Sequence, residues 1–396
     1  MPRRLPDPPK REELQFNKKL SIKNMLKIVR QQFSKIPERQ GVKLQYSLLD
    51  ILMSGLAVFV LKSPSLLQFD AQRNKPRIRH NLWKLFGILK AACDSTIRAI
   101  CDAIKPAYLR PATAELIKVA EQEGVLQEFR IPAFDNRLLL SVDGTGHFQS
   151  GKVHCEECCE KHHRNGEVSY YHQLLVASIV HPDKSTVLPL FPEAITKQDG
   201  NTKNDCESNA AKRLLPEINT QLPNLGFVVL QDAIAADAPT IRLHQSLDNR
   251  FIITAKASDL PFLYHQVQQH FCQGLTQEFE YTDERGVTRG YRWINGVALN
   301  KANQDLLVNY LDYWEIKNDK ICYQHQWITD IPLEQAIVPE MMRAARTRWK
   351  IENETLNTLK NAGYNLEHNY GHGHKYLATV FAHLMMLAFQ IGRAHV

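Results

Sequence analysis

At about residue 137 the apolar pattern of this chain changes its period, and that change decides the fold class. Upstream, apolar residues recur near every 3.6 positions. The stretches 25–33, 44–61, 63–73 and 95–104 read as helices, and another, 112–123, follows Pro111. Downstream come continuous apolar runs over 138–142, 170–180 and 186–190. A helical pattern over 203–221, a run at 227–231, a helix over 238–247 and a run at 250–255 follow. Runs of this kind suit strands buried on both faces. The order is therefore three strands, helix, strand, helix, strand, which is an α/β class with a mixed sheet.

Two of those runs end on an acid. Asp143 closes Leu138-Leu139-Leu140-Ser141-Val142, and Asp232 closes Phe227-Val228-Val229-Leu230-Gln231. A third acid, Glu352, lies in a long helix that Pro339 opens, that runs to about 361, and that has Gly363 beyond its end. If the first and fourth strands are neighbours, both aspartates face one spot, and a helix crossing behind them brings Glu352 to it. Several charged oxygens suit Mg²⁺ or Mn²⁺. Two such ions on one phosphodiester are sufficient for in-line phosphoryl transfer. Taken singly, each acid has a plainer role: a strand-ending turn at Asp143, a helix cap at Asp232, a solvated position at Glu352. Their joint placement carries the chemistry.

Net charge is +7 and unevenly distributed. Residues 1–45 hold twelve Lys/Arg against four acids, and residues 71–90 hold Arg73, Lys75, Arg77, Arg79, Lys84 and Lys90 with no acid. Clustered cations point to a polyanionic partner, here DNA; the alternative is a merely soluble charged surface. The apolar runs 48–61 and 376–391 are broken by Asp50 and by His383 and Gln390, so both read as buried helices and no membrane span is expected. The start of the chain lacks the apolar core of a secretory signal. The eight cysteines form no extracellular disulfide pattern, so a cytoplasmic, nucleoid-associated protein is expected.

In Arg348-Trp349-Lys350-Ile351-Glu352 the chain resembles bacterial insertion-sequence transposases of the DDE class, which have a ribonuclease-H-like core. More narrowly, it resembles the branch with a Tyr-x2-Arg-x3-Glu-x6-Lys signature and a β insertion before the glutamate. Arg348 and Glu352 match the Arg-x3-Glu part, and the resemblance covers roughly residues 90–390. The tyrosine position holds Ala345, and the lysine, Lys360, stands one residue further on. Hairpin formation, known in part of that family, is therefore not carried over. The resemblance implies a ribonuclease-H-like mixed sheet (β-β-β-α-β-α-β-α) with a β-rich insertion and an N-terminal all-helical region. It implies a DNA transposase that cuts element ends and joins the 3′-hydroxyl to target DNA with two Mg²⁺ or Mn²⁺. Asp143, Asp232 and Glu352 would be its catalytic metal ligands, and a homodimer its active complex. Glu354 is a rival third ligand. Arg348, Lys360 and, at the end of the fifth strand, Lys256 are the candidate phosphate contacts. Two other readings compete: a metal-dependent nuclease of the same fold, and a catalytically inactive DNA-binding remnant.

Residues 154–163 read His-Cys-Glu-Glu-Cys-Cys-Glu-Lys-His-His. Cys155-x2-Cys158 has zinc-knuckle spacing, and His162 and His163 complete a candidate structural Zn²⁺ set, with Cys159 in reserve. The alternative is a polar loop with free thiols. His368, His372 and His374 read as a solvated loop, and Asp205-Cys206-Glu207 as a helix-capping arrangement and no more. Trp293 and Trp314 either pack a core or stack on an unpaired base. The expected organisation is a basic arm (1–24), a helical DNA-binding region (25–135), a catalytic core (136–256 and 336–390) and a β insertion (257–335). The tail 391–396 matches a frame of a common sequencing adapter and reads as non-native.

Overall fold

The structure, a computed structural model, describes residues 18–38, 45–197, 204–368 and 370–393. Residues 1–17 of the expected basic arm and 394–396 of the tail lie outside that set. Among the described residues six α-helices come first: α1 (Ile22–Phe33), α2 (Leu48–Val60), α3 (Leu66–Arg73), α4 (Pro76–Phe86), α5 (Asp94–Ala103) and α6 (Arg110–Gln122). Ser21, Ser47 and Ser65 cap the first three by accepting a backbone N–H in the first turn. Helix α4 did not show in the apolar periodicity, because only Leu82 and Phe86 are buried in it. Pro76 at its first turn and Gly87, left-handed at its end, are the ordinary helix boundaries.

The strands follow: β1 (Arg130–Ile131), β2 (Arg137–Ser150), β3 (Cys159–His162), β4 (Val168–Val180), β5 (Leu188–Pro189) and β6 (Glu193–Ile195). After them come α7 (Glu207–Gln221), β7 (Phe227–Gln231), α8 (Ala238–Ser246), β8 (Arg250–Thr254) and α9 (Pro261–Cys272). The rest of the sheet is β9 (Gln277–Thr282), β10 (Thr288–Asn300), β11 (Asn303–Lys317) and β12 (Lys320–Thr329). The chain ends in α10 (Val338–Arg346), α11 (Asn357–Asn361) and α12 (Leu377–Arg393).

The chain is mixed α/β around one twelve-stranded mixed sheet, whose path runs β3-β4-β2-β7-β8-β12-β11-β10-β9. Strands β2, β7 and β8 are parallel neighbours, and β4 lies antiparallel to β2. The strands of the 257–335 segment extend the same sheet, because β12 pairs antiparallel with β8. Within that segment β11 is a single strand of 15 residues. Trp293 and Trp314 are buried, so packing is their role.

One face of the sheet, through Leu139, Val176, Val228 and Leu230, joins α2, α10 and α12 in a single core. The other face, through Leu138, Leu140, Ala177 and Val229, packs on α6 and α7. Alternation along β2 therefore puts Leu139, Ser141 and Asp143 on the first face. Helices α2 and α12 are apolar nearly all round and sit against each other, the pattern of helices enclosed by protein. Among the described residues, no helix is long and apolar enough to cross a membrane.

Candidate functional site

Strand pairing brings the two aspartates together. In the parallel β2–β7 pair, Ser141 stands opposite Leu230, the last pair of that ladder; β7 ends at Gln231, whereas β2 runs on past its expected end at Val142 to Ser150, paired with β4. Asp143 and Asp232 each lie two residues further on, at the same level. Asp232 also caps a short turn of helix, accepting the Ile234 N–H at 3.1 Å. The plainer reading of that residue, a helix cap, therefore holds.

The segment that carries Glu352 is pinned to the same face by polar contacts. Ser141 Oγ donates to the Arg348 carbonyl at 2.9 Å, and Ser178 on β4 meets Thr355 at 3.1 Å. Lys350 Nζ donates to the carbonyls of His181, Pro182 and Lys184 at 2.6–2.8 Å. The expected single helix over 339–361 is broken: Thr347–Trp349 is a 3₁₀ turn and Ile351–Leu356 a π-helix. Turns of the π type recur at functional sites because they re-aim side chains. Here Glu352 lies within electrostatic range of Asp143, while Glu354 interacts with Lys350.

The electrostatics follow from this crowding. Burial pushes the Asp143 carboxyl up, and Asp232 and Glu352 push it further; Arg348 and the Gly144 N–H pull the other way. Arg348 Nη1 lies 3.3 Å from Asp143 Oδ2.

A fourth carboxylate is present that the sequence reading assigned only to capping. Glu207 opens α7 on the opposite face and lies over Gly144 of β2. A Cβ on Gly144 would overlap Glu207 Oε1. Burial raises the Glu207 carboxyl, and Asp232 and Asp143 raise it again. Asp205 does act at the helix start, accepting the Cys206 N–H at 2.9 Å and pairing with Arg213 at 2.8 Å.

The three expected phosphate contacts separate. Arg348 is in the cluster. Lys256 is exposed just beyond β8, and His325 lies within electrostatic range of it, of Arg348 and of Arg346. Lys360 instead pairs with Glu367 at 2.8 Å and lines a groove of about 780 Å³ with Phe148, Lys161 and Tyr171. A cavity of about 680 Å³ near α7 holds Arg110, Glu193, Asp205 and Arg213, but their charges pair with one another.

The cysteine–histidine expectation is corrected in half of its members. Cys155 and Cys158 do converge, but on His172 of β4 and His372 before α12, with all four donor atoms within 4.8 Å of one another. This set can hold a metal ion. His162 instead approaches Glu160 at 3.5 Å, and His163 bonds Ser169 at 2.8 Å. The register explains the exclusion: β3 pairs with β4 so that His162 sits opposite Val168, at the far end of that hairpin from His172. His372, expected in a solvated loop, is buried. The carboxylates are set more widely: among the described residues only the cysteine–histidine set gathers its donors so tightly.

No protein-family model matches the chain, and no curated protein matches it.

Proposed function

We propose that this chain is a DNA transposase of the DDE class, built on a ribonuclease-H-like core. The observation that carries the reading is the convergence of Asp143 and Asp232, each two residues past the last pair of the parallel β2–β7 ladder, with Glu352 on the π-helical turn packed over them. In this reading β5/β6, β4, β2, β7 and β8 form the core sheet, with three antiparallel strands followed by two parallel ones.

The donor set fits hard divalent cations. It holds carboxylate oxygens with neither thiolate nor imidazole, and its anionic repulsion is relieved only by positive charge. The wide setting suits hydrated Mg²⁺, which keeps several of its waters. When bound, such ions would activate water or a 3′-hydroxyl and stabilise the leaving oxygen. Asp143, Asp232 and Glu352 would hold them. Arg348, planar and always charged, would orient the scissile phosphate and neutralise Asp143 before DNA arrives. Lys256 and Arg346, both within electrostatic range of His325 as Arg348 is, would guide the strand beside it. The 3′-hydroxyl freed by the cut would then attack target DNA in the same cleft. Work on two element ends calls for at least a homodimer.

Helix α4 would supply part of the DNA grip. Arg77, Arg79 and Lys84 are exposed on it, it has no acid, and Trp83 is 55% exposed beside them.

The test is a supercoiled plasmid carrying the gene's own flanking sequences, incubated with purified chain and Mg²⁺. The reading expects nicks at the flank junctions and joined products, both lost in Asp143→Ala. Cutting without joining would favour the nuclease. Retarded DNA with no cutting would favour the inactive remnant.

A further inference from the structure

We infer that Cys155, Cys158, His172 and His372 form a tetrahedral zinc site that staples the C-terminal helix α12 to the β2–β4 hairpin. The distances carry the argument. The two sulfurs lie 3.8 Å apart. His172 Nε2 is 3.4 Å from each of them. His372 Nε2 is 3.3 Å from Cys158 Sγ and 3.1 Å from His172 Nε2. A tetrahedral zinc with bonds of ~2.3 Å to sulfur and ~2.05 Å to nitrogen sets edges of ~3.8 Å for S–S, ~3.6 Å for S–N and ~3.4 Å for N–N. Five measured edges follow that pattern, with sulfur–sulfur longest and nitrogen–nitrogen shortest. A disulfide does not account for the sulfurs, whose separation is far beyond a bond of about 2.05 Å.

The surroundings orient the ligands. Residues 155–158 form a turn in which the Cys158 N–H donates to the Cys155 carbonyl at 3.2 Å and the Cys155 N–H points at Cys158 Sγ at 3.4 Å. His372 Nδ1 lies 2.9 Å from the Gly373 carbonyl; a proton on Nδ1 leaves the Nε2 lone pair for the cluster. Phe148 packs on the His372 ring at 4.4 Å and shields the set. Two thiolates and two imidazoles, with no carboxylate, select zinc over magnesium.

The site joins distant parts of the chain. Cys155 and Cys158 belong to the hairpin loop and His172 to β4, whereas His372 comes from just before α12. Two residues beyond it, the N–H groups of His374, Lys375 and Leu377 converge on Asp102 of α5 at 2.9–3.1 Å. Zinc and Asp102 together fix where α12 begins.

The test needs no DNA. The purified full chain is expected to carry one zinc after dialysis, and the chain refilled with Co²⁺ to show the visible spectrum of a tetrahedral thiolate–imidazole site. Cys158→Ser and His372→Gln should lose the metal, while His162→Gln and His163→Gln should keep it. Should the ligand variants fail to fold, the wild type stripped with a chelator serves instead. Returned to buffer with Mg²⁺ held constant, it should have a lower Tm than the zinc-loaded chain in the same buffer, and added zinc should restore it. A chain without zinc whose Tm ignores added zinc, or full zinc retention in His372→Gln, would overturn the proposal. Because these readouts are metal content, spectrum and stability, the site stands or falls separately from DNA cleavage.

Discussion

Gly144 and Glu207 share one space. The glycine lies on β2 next to Asp143, and any side chain there would displace the Glu207 carboxylate from beside it. Neither residue drew notice as a pair, since they stand on different elements. Gly144→Ala is therefore expected to abolish Mg²⁺-dependent cleavage while leaving a folded protein, destabilised by about 1–3 kcal/mol as in other overpacked sites. Glu207→Gln, which keeps the shape, should impair cleavage with little change in Tm. Full activity in both variants would remove Glu207 from the site.

Like charges crowded around Asp143 cost stability when nothing neutralises them. Asp143→Asn should therefore raise the Tm of the metal-free protein. Mg²⁺ should raise the Tm of the wild type and have much less effect on the variant. Thermal scans in chelator and in Mg²⁺ measure both. A lower Tm for Asp143→Asn in chelator would contradict the crowding.

The same charges set a pH dependence. Asp143 and Glu207 have folded-state carboxyls raised above unfolded values of about 3.9 and about 4.3. Their contribution to stability is fully present below the unfolded values. It is lost as pH rises through the raised folded ones. The stability of metal-free Asp143→Asn minus that of wild type should therefore grow as pH rises through that window and then level off. Urea unfolding in chelator across the acid-to-neutral range checks the sign.

Arg348 acts as a planar fork, so charge alone should not replace it. Arg348→Lys is expected to lower kcat/KM for plasmid cleavage on the order of 100-fold, the scale of losing one preorganised charged donor. Zinc content should be unchanged. Near-normal cleavage in the lysine variant would reduce Arg348 to a partner for Asp143.

Replacing Arg77, Arg79 and Lys84 of α4 with alanine should weaken DNA binding across sequences. It should also flatten the salt dependence, by about one unit of log–log slope for each phosphate no longer neutralised. Fluorescence titrations at several salt concentrations measure that slope. An unchanged slope would assign the DNA grip to another surface.

The strands bearing Asp143 and Asp232 were legible because strands buried on both faces must be apolar throughout, so the acid that ends each run stands out. Glu352 drew notice from its helix and from the resemblance, but its aim left no trace in the sequence. That aim depends on a π-turn and on polar anchors from Ser141, Ser178 and Lys350 that leave no local pattern. Glu207 was hidden because an acid at a helix start already has a sufficient local role. His372 was hidden by distance: it meets Cys158 across 214 positions, whereas Cys-x2-Cys spacing draws attention to the nearest histidines. Strand β12 was missed because its first seven residues are largely polar and none of them is buried.

The β12–β8 ladder has a consequence for any shortened form of this protein. A version trimmed of 277–329, designed as though that stretch were a detachable ornament, would leave β8 as a bare rim with unpaired N–H and C=O groups. Such a product should associate with copies of itself. Its insolubility would then reflect an exposed seam, and would say nothing about whether the remaining half of the sheet can fold.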